Sequence, residues 1–468
     1  MKKLFSILLL ATFTLFTAGC AEDNDDVRVP AGNLEINDFV WKAMNIFYFY
    51  KSQVPNLSVE DFSSNQEYVN YLNAFQTPED LFDALTIETD RFSVIVDDYR
   101  VLEASLQGSS LANGMRFGLV GISGTNLVFG VVRYVVPNSS AAMQGVERGM
   151  VFTQIDGVQL TDSNFVDLLS PASYTIGLAE LNNQSLALTG ENITLVKEEL
   201  SENPIHLSSI IEVNGQNVGY LMYNNFRSNF ESELNQVFAY FKANAVTDLI
   251  LDLRYNGGGS VATANDLASM ITGQFNGQVF GIQVFNENFD DVVINFDNQT
   301  ADGELVNSLN LDRVFVLTTG STASASELII NALNPYIDVI QIGTTTTGKF
   351  QGSTTLYDSE DFTKNNVNIN HFYALQPLIL TIANADGFTG FEDGLVPDIE
   401  FQEDFFNYGV LGDPSEPLLA RALQEIGAGL QGQGQILEQK SAHSLQFKLI
   451  DESGSDSPDY QRMYVEMQ

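Results

Sequence analysis

Three short segments carry residue types able to do chemistry, in the order glycine turn, serine, lysine. In 251–260 (LDLRYNGGGS) a buried-type strand runs into Gly257, Gly258 and Gly259. Such glycines let backbone N–H groups approach a ligand closely. The lysine of a Walker phosphate loop is absent, so a nucleotide site has little support. In 313–330 a strand ends near Thr319, and a helix must begin near Ala325 to bury Leu328, Ile329 and Leu333. Ser324 is thereby left just ahead of the helix, beside exposed backbone donors and the positive end of the helix dipole. That placement suits a nucleophile beside an oxyanion hole, and it equally suits a plain N-cap. In 343–353 Lys349 occupies a Gly/Thr loop next to Phe350. Burial lowers an amine's pKa, and acting as a base near neutrality costs about 4 kcal/mol relative to an ordinary lysine. A lone loop lysine is ordinarily solvated.

Taken together, the strand ending in an Asn-Gly-Gly turn, the run Ser324-Ala325-Ser326-Glu327 and Gly348-Lys349 resemble the carboxyl-terminal-processing (tail-specific) serine peptidases. Lys349 follows Ser324 by 25 residues, as in that family. The resemblance extends over most of 36–400. It implies that Ser324 attacks the scissile carbonyl, that Lys349 takes its proton, and that backbone N–H groups of Ala325 and of the Gly257, Gly258, Gly259 turn stabilise the oxyanion. Some members place Gln four residues after the lysine to orient its amine. Here that position is Ser353, with Gln351 nearby; the sequence departs from the pattern, and these two are candidates for orienting Lys349 beside any other group. Only His206, His371 and His443 exist, none in a recognisable triad context, and a His-rich zinc site has no support. The chemistry implied needs neither metal nor cofactor.

Around this core the pattern changes twice. From 36 to 98, Phe39, Met44, Ile46 and Phe47, then Leu81, Leu85 and Phe92, follow helical periodicity, and a small helical N-terminal domain is expected over 35–112. From Gly114 short β-type runs take over, with a helix between Pro137 and Gly149 and a turn at Asp156-Gly157. This order resembles a mainly-β PDZ domain over 113–198, which implies that a peptide adds as a strand beside Arg116, Phe117, Gly118, Leu119 and Val120, with Arg116 a candidate for carboxylate capture. Beyond it, 199–427 alternates strands and helices as an α/β layer, and the resemblance implies a crotonase/ClpP-like peptidase core. Ser228 and Glu231 read as a capping box opening a helix. The stretch 428–468, partly Gly-, Gln- and Ser-rich, reads as a peripheral tail.

The first residues read as export. Met-Lys-Lys, an apolar run from Leu4 to Phe16 and Thr17-Ala18-Gly19 form a signal peptide over 1–19, too short for a membrane span of about 20 residues. Cys20, the one cysteine of the sequence, stands where a bacterial lipobox lipidates its thiol. An acidic tether over 20–34 follows. The expectation is a protein secreted across a bacterial inner membrane and held by lipid at the outer membrane, facing periplasm or cell surface. A net charge of −39 argues against nucleic acid as a partner, because phosphate binding needs clustered Lys and Arg. The function expected is a Ser/Lys endopeptidase acting on exposed C-terminal tails of envelope or secreted proteins. Its rival is a non-catalytic lipoprotein of the same fold that binds peptides or apolar ligands.

Overall fold

In the computed structural model, residues 31–57, 62–182, 185–431 and 447–466 are described. The signal segment, Cys20, most of the acidic tether and His443 lie outside them. The helical reading of the N-terminal part holds where the apolar spacing is strongest. Helix Asn33–Phe47 buries Ile36, Phe39, Val40, Ala43 and Met44, the i, i+3, i+4, i+7, i+8 stripe of an amphipathic helix. Thr77 caps Pro78–Ala84 through a reciprocal capping box with Asp80, with proline in the first turn. These helices share one apolar cluster with Leu356, Leu375 and Leu378. Strand Val94–Val96 also pairs with Ala374–Gln376, so this part is stitched to residues nearly three hundred positions later.

Residues 115–196 form an antiparallel sheet in the order Met115–Ile122, Val128–Val135, Val151–Ile155, Ser173–Asn182, Ser185–Val196. Asp156 and Gly157 both take positive φ, the conformation a two-residue hairpin turn demands, and Val158–Gln159 folds back on Val151–Ile155. The short helix Ser140–Met143 is capped by Ser139. Along Val128–Val135 the pleat sends Val128 and Val132 into one cluster and Phe129 and Val131 into another. Both faces of the sheet are therefore covered.

The remaining core is a sheet ordered Ile205–Val213, Gln216–Tyr223, Val246–Asp252, Arg313–Thr318, Asp338–Gly343, Ile399–Glu400, parallel except for its first strand. Parallel strands must be buried on both sides. Helices Glu231–Ala243, Val261–Thr272 and Ala325–Leu333 cover one face, and Leu418, Leu419, Ala422 and Ile426 of helix Pro417–Gln431 cover the other.

Two expectations fail here. Ser228 opens a 3-10 turn rather than capping a helix, and Glu231 turns inward, where its carboxylate accepts from Thr263 Oγ1 at 2.7 Å. Nor is the last part peripheral. Phe447–Glu452 adds to the edge of the antiparallel sheet beside Met115–Ile122. Met463–Tyr464 becomes an inner strand of another sheet, between Gly259–Ser260 and Gln351–Ser353.

Candidate active site

Strand Arg313–Thr318 delivers the serine loop to the same sheet end as the glycine turn after Val246–Asp252. Asn256 fixes the two together. Its side chain donates to Tyr223 O at 2.8 Å and accepts from Gly258 N–H at 2.8 Å, while its carbonyl accepts from Ala323 N–H and Ser326 Oγ. A Cβ on Gly258 would lie 2.5 Å from Ser324 Cβ, and φ there is +110°, so only glycine fits. Of the backbone donors expected for an oxyanion, Gly258 N–H is thus already engaged inside the chain. Ala325 directly follows Ser324 as the first residue of helix Ala325–Leu333, and Gly257 lies against Gln461.

Ser324 is fully buried, with φ 67° and ψ −120°. A non-glycine residue held there carries strain of about 1–3 kcal/mol and needs surrounding structure to enforce it. Among the described residues its Oγ has no hydrogen-bond partner of good geometry, although Ser324 and Glu327 stand in the reciprocal arrangement of a capping box. The enforcing group is Glu327, a residue the sequence reading quoted without assigning a role. One carboxylate oxygen accepts from Ser324 N–H at 2.7 Å and Lys349 N–H at 2.8 Å, the other from Gly348 N–H at 2.7 Å and Thr346 Oγ1. A single buried carboxylate therefore ties the backbone of the serine to that of the lysine. Burial pushes its pKa up, and these four donors act against that rise. In sequence, a glutamate three residues into a helix is indistinguishable from an ordinary capping partner.

Glu327→Gln keeps the size but presents an NH2 to two backbone donors. We expect activity, measured as cleavage of an unfolded polypeptide, to fall about 10²-fold, mainly in kcat, with about 1–3 kcal/mol lost in a denaturant titration. An unchanged kcat would remove Glu327 from the positioning of the pair.

Lys349 is also fully buried. Burial first, and then the Arg462 guanidinium, hold its amine well below the ordinary lysine range, against the opposing charges of Asp90 and Glu327. The Phe92 ring lies 4.9 Å from Nζ. The amine does not reach Ser324 Oγ in this arrangement and instead donates to Gln461 O at 2.7 Å. Neither expected orienting residue touches it. Ser353 Oγ donates to Met463 O at 3.1 Å, and Gln351 Nε2 donates to Tyr50 Oη at 3.0 Å. Ser353 Oγ and Gln351 Nε2 are thus engaged by segments distant in sequence, while Gln351 Oε1 has no partner among the described residues.

The expected peptide-binding strand is likewise engaged. Arg116 forms a partly buried pair with Glu202, its Nε 3.0 Å from the carboxylate, so its guanidinium is already engaged by a carboxylate of the same chain. Phe117 N–H donates to Ser453 Oγ, and 118–122 pair with Phe447–Glu452. Of the histidines, His206 packs on Tyr134 and His371 bonds Asp358.

Two family models match, peptidase family S41 over 217–400 and the peptidase S41 N-terminal domain over 35–94, together more than half of the chain. The chain belongs to peptidase family S41. The S41 N-terminal match falls on the helical part, and the larger S41 match on the sheet that carries Ser324 and Lys349. The chain is similar to the chloroplastic C-terminal processing peptidase of Tetradesmus obliquus, at 25% identity over 301 residues, 58% of this chain and 59% of that protein. It is also similar to the carboxyl-terminal-processing protease of Picosynechococcus sp., at 24% identity over 261 residues, 54% of this chain and 58% of that one. The matches therefore span less than two thirds of either relative. The crystal structure of an S41 protease from Bacteroides fragilis NCTC 9343 aligns with a TM-score of 0.66 at 25% identity, covering 84% of this chain and 97% of that chain. The photosystem II D1 C-terminal processing protease aligns at 0.50 with 18% identity, covering 83% of this chain and 100% of that one, a likeness of fold alone.

Proposed function

We propose that the protein is a serine endopeptidase in which Ser324 is the nucleophile and Lys349 the general base, acting on polypeptides with exposed C-terminal tails. The observation that carries this reading is the pairing of a strained, buried serine whose Oγ is unpartnered with a buried amine of lowered pKa, both tied to one carboxylate. A serine hydroxyl is a weak nucleophile until a neighbouring base accepts its proton, and an amine serves as that base only when it is neutral near working pH. Burial and the neighbouring Arg462 guanidinium move Lys349 toward that state. The oxyanion of the tetrahedral intermediate formed by Ser324 attack would fall beside Ala325 and the glycine turn, at the positive end of helix Ala325–Leu333. Relatives named for C-terminal processing support the substrate class.

Residues 113–198 fit a PDZ domain that presents substrate tails to the site. Cys20 fits a lipid anchor, which would place the protein at the outer membrane of a bacterial envelope. Cys20→Ser is expected to release the processed protein into the soluble fraction, and a variant that stays with membranes would argue for another mode of attachment. The activity is tested by incubating the protein, and its Ser324→Ala variant, with unfolded polypeptides that differ only in their last residues. Cleavage by the alanine variant at the wild-type rate would exclude Ser324 as nucleophile. No cleavage by either would favour the rival reading, a peptide-binding protein without turnover.

A further inference from the structure

Residues 447–466 follow the course that a bound polypeptide would take. They begin as an antiparallel strand on Met115–Ile122, with Phe447 opposite Ile122 and Glu452 opposite Gly118. Strand addition to a sheet edge is a general mode of peptide capture, and here the chain itself supplies the strand. Glu452 then bridges outward from that sheet. Its carboxylate pairs with Arg133 and accepts from Ser321 Oγ of the nucleophile loop and from Tyr460 Oη.

The segment next crosses the catalytic pair. Gln461 O receives the Lys349 amine at 2.7 Å. Arg462 O and Ser324 Oγ each lie 2.8 Å from the point where a Gly258 Cβ would be. Met463–Tyr464 then lies in parallel register with Gly259–Ser260 on one side and opposite Ser353 on the other. Val465 N–H donates to Ser353 O at 2.9 Å, and Thr354 Oγ1 donates to Val465 O. Adjacent strands sit about 4.8 Å apart. Without this segment, Gly259–Ser260 and Gln351–Ser353 would flank a slot one strand wide, open along its backbone donors and acceptors and running past Ser324. Such a slot fits an extended polypeptide and little else. A cavity of about 640 Å³ adjoins it, lined by Phe92, Leu102, Pro458, Gln461 and Arg462 among others.

We infer that residues 447–466 are an autoinhibitory occupant of the substrate track, and that an incoming polypeptide gains the site by displacing them from both the sheet edge and the slot. The inference rests on the hydrolytic reading of Ser324 and Lys349. With the segment in place, the base is bonded to a carbonyl of its own chain, and both catalytic side chains are sealed from solvent. With it gone, the amine is free to turn to Ser324 Oγ. Because the segment is tethered, its effective concentration is of millimolar order, so a substrate competes only if it engages both stations.

The test uses the whole chain with a recognition sequence for a specific protease inserted within 432–446, cut after folding. Turnover of an unfolded polypeptide is expected to rise at least tenfold on cutting and gel filtration, and a synthetic peptide of sequence 447–466 should restore inhibition with saturation. In parallel, the Ser324→Ala form of the same protein is titrated with fluorescent 447–466 peptide. The cut form should bind one equivalent, displaceable by unfolded polypeptide, and the uncut form should bind at least tenfold more weakly. Met463→Asp in the uncut chain, which puts a charge at a position 1% exposed, should reproduce the opening. Binding and displacement without turnover in any form would sustain the occupant while removing the hydrolytic reading. A segment that stays with the cut chain, with turnover unchanged and added peptide neither binding nor inhibiting, would make 447–466 an integral strand and overturn the inference.

Discussion

Lys349→Met should lower turnover of unfolded polypeptides by at least about 10³-fold, while making the folded protein more resistant to denaturant by about 1–3 kcal/mol. The two effects have one cause. The amine is wholly buried, and its one hydrogen bond to a side-chain or backbone acceptor among the described residues goes to Gln461 O. Methionine matches its length and removes the polar group. The pH dependence separates this from a general packing effect. Because the folded protein holds Lys349 below the ordinary lysine value and the unfolded chain does not, the unfolded state binds more protons between the two. Wild-type stability therefore gains with rising pH across that interval. The advantage of the methionine variant should be largest below the lowered pKa and shrink as pH climbs toward the ordinary value of 10.5. Wild-type turnover should rise with pH through the same lowered pKa, as neutral amine accumulates. Chemical denaturation and kcat/KM across pH measure both. A stability difference that is flat with pH, or turnover retained within tenfold, would remove the base from Lys349.

Ser324 and Lys349, the proposed pair, could be picked out because their signals are local. A strand must end before Gly257, and a helix must begin after Ser324. Each constraint is written in consecutive residues, and Lys349 follows Ser324 by 25 residues. Glu327 was hidden for the opposite reason, since its four hydrogen bonds converge from one loop and a helix start that meet only in the folded chain. The partner of Arg116 lies 86 residues away, so the sequence offered a solvated arginine where the fold partly buries an ion pair. The error over 447–466 has the same root. Composition there resembles a tail, yet Ser353 Oγ meets Met463 O across 110 residues, and backbone pairing of that kind leaves no periodicity to read. The α/β core and the helical start were readable from apolar spacing alone. The order of sheet strands was not, because parallel register is fixed by contacts between segments rather than within them.

Arg254→Met is expected to destabilise the protein by about 3–5 kcal/mol at neutral pH, the cost of leaving buried carboxylates without their cation. Arg254 is fully buried. Its guanidinium donates to both oxygens of Asp252, to both oxygens of Glu416 and to Glu403 Oε1, at 2.8–3.0 Å. Burial pushes Glu403 up, but Arg148 and Arg254 outweigh it and leave the carboxyl at about 2. A carboxyl held that low contributes stability that is present above its unfolded pKa and lost only as pH falls toward 2. In the methionine variant Glu403 keeps Arg148 but loses Arg254, so burial meets less opposition and its carboxyl rises toward the neutral acid. The deficit should therefore narrow as pH falls from 7 to 5, whereas a cavity effect would be flat over that range. The site also feels the loss at a distance. Arg148, on the antiparallel sheet side, shares Glu403 with Arg254. Arg254 O accepts from Thr319 Oγ1, and Leu253 O from Thr322 Oγ1, in the loop before Ser324. Loosening Arg254 thus frees both the seat of the 113–198 region on the core and the loop that enforces the strained serine. Turnover should fall with stability, and a pH-independent deficit with full activity would confine Arg254 to packing.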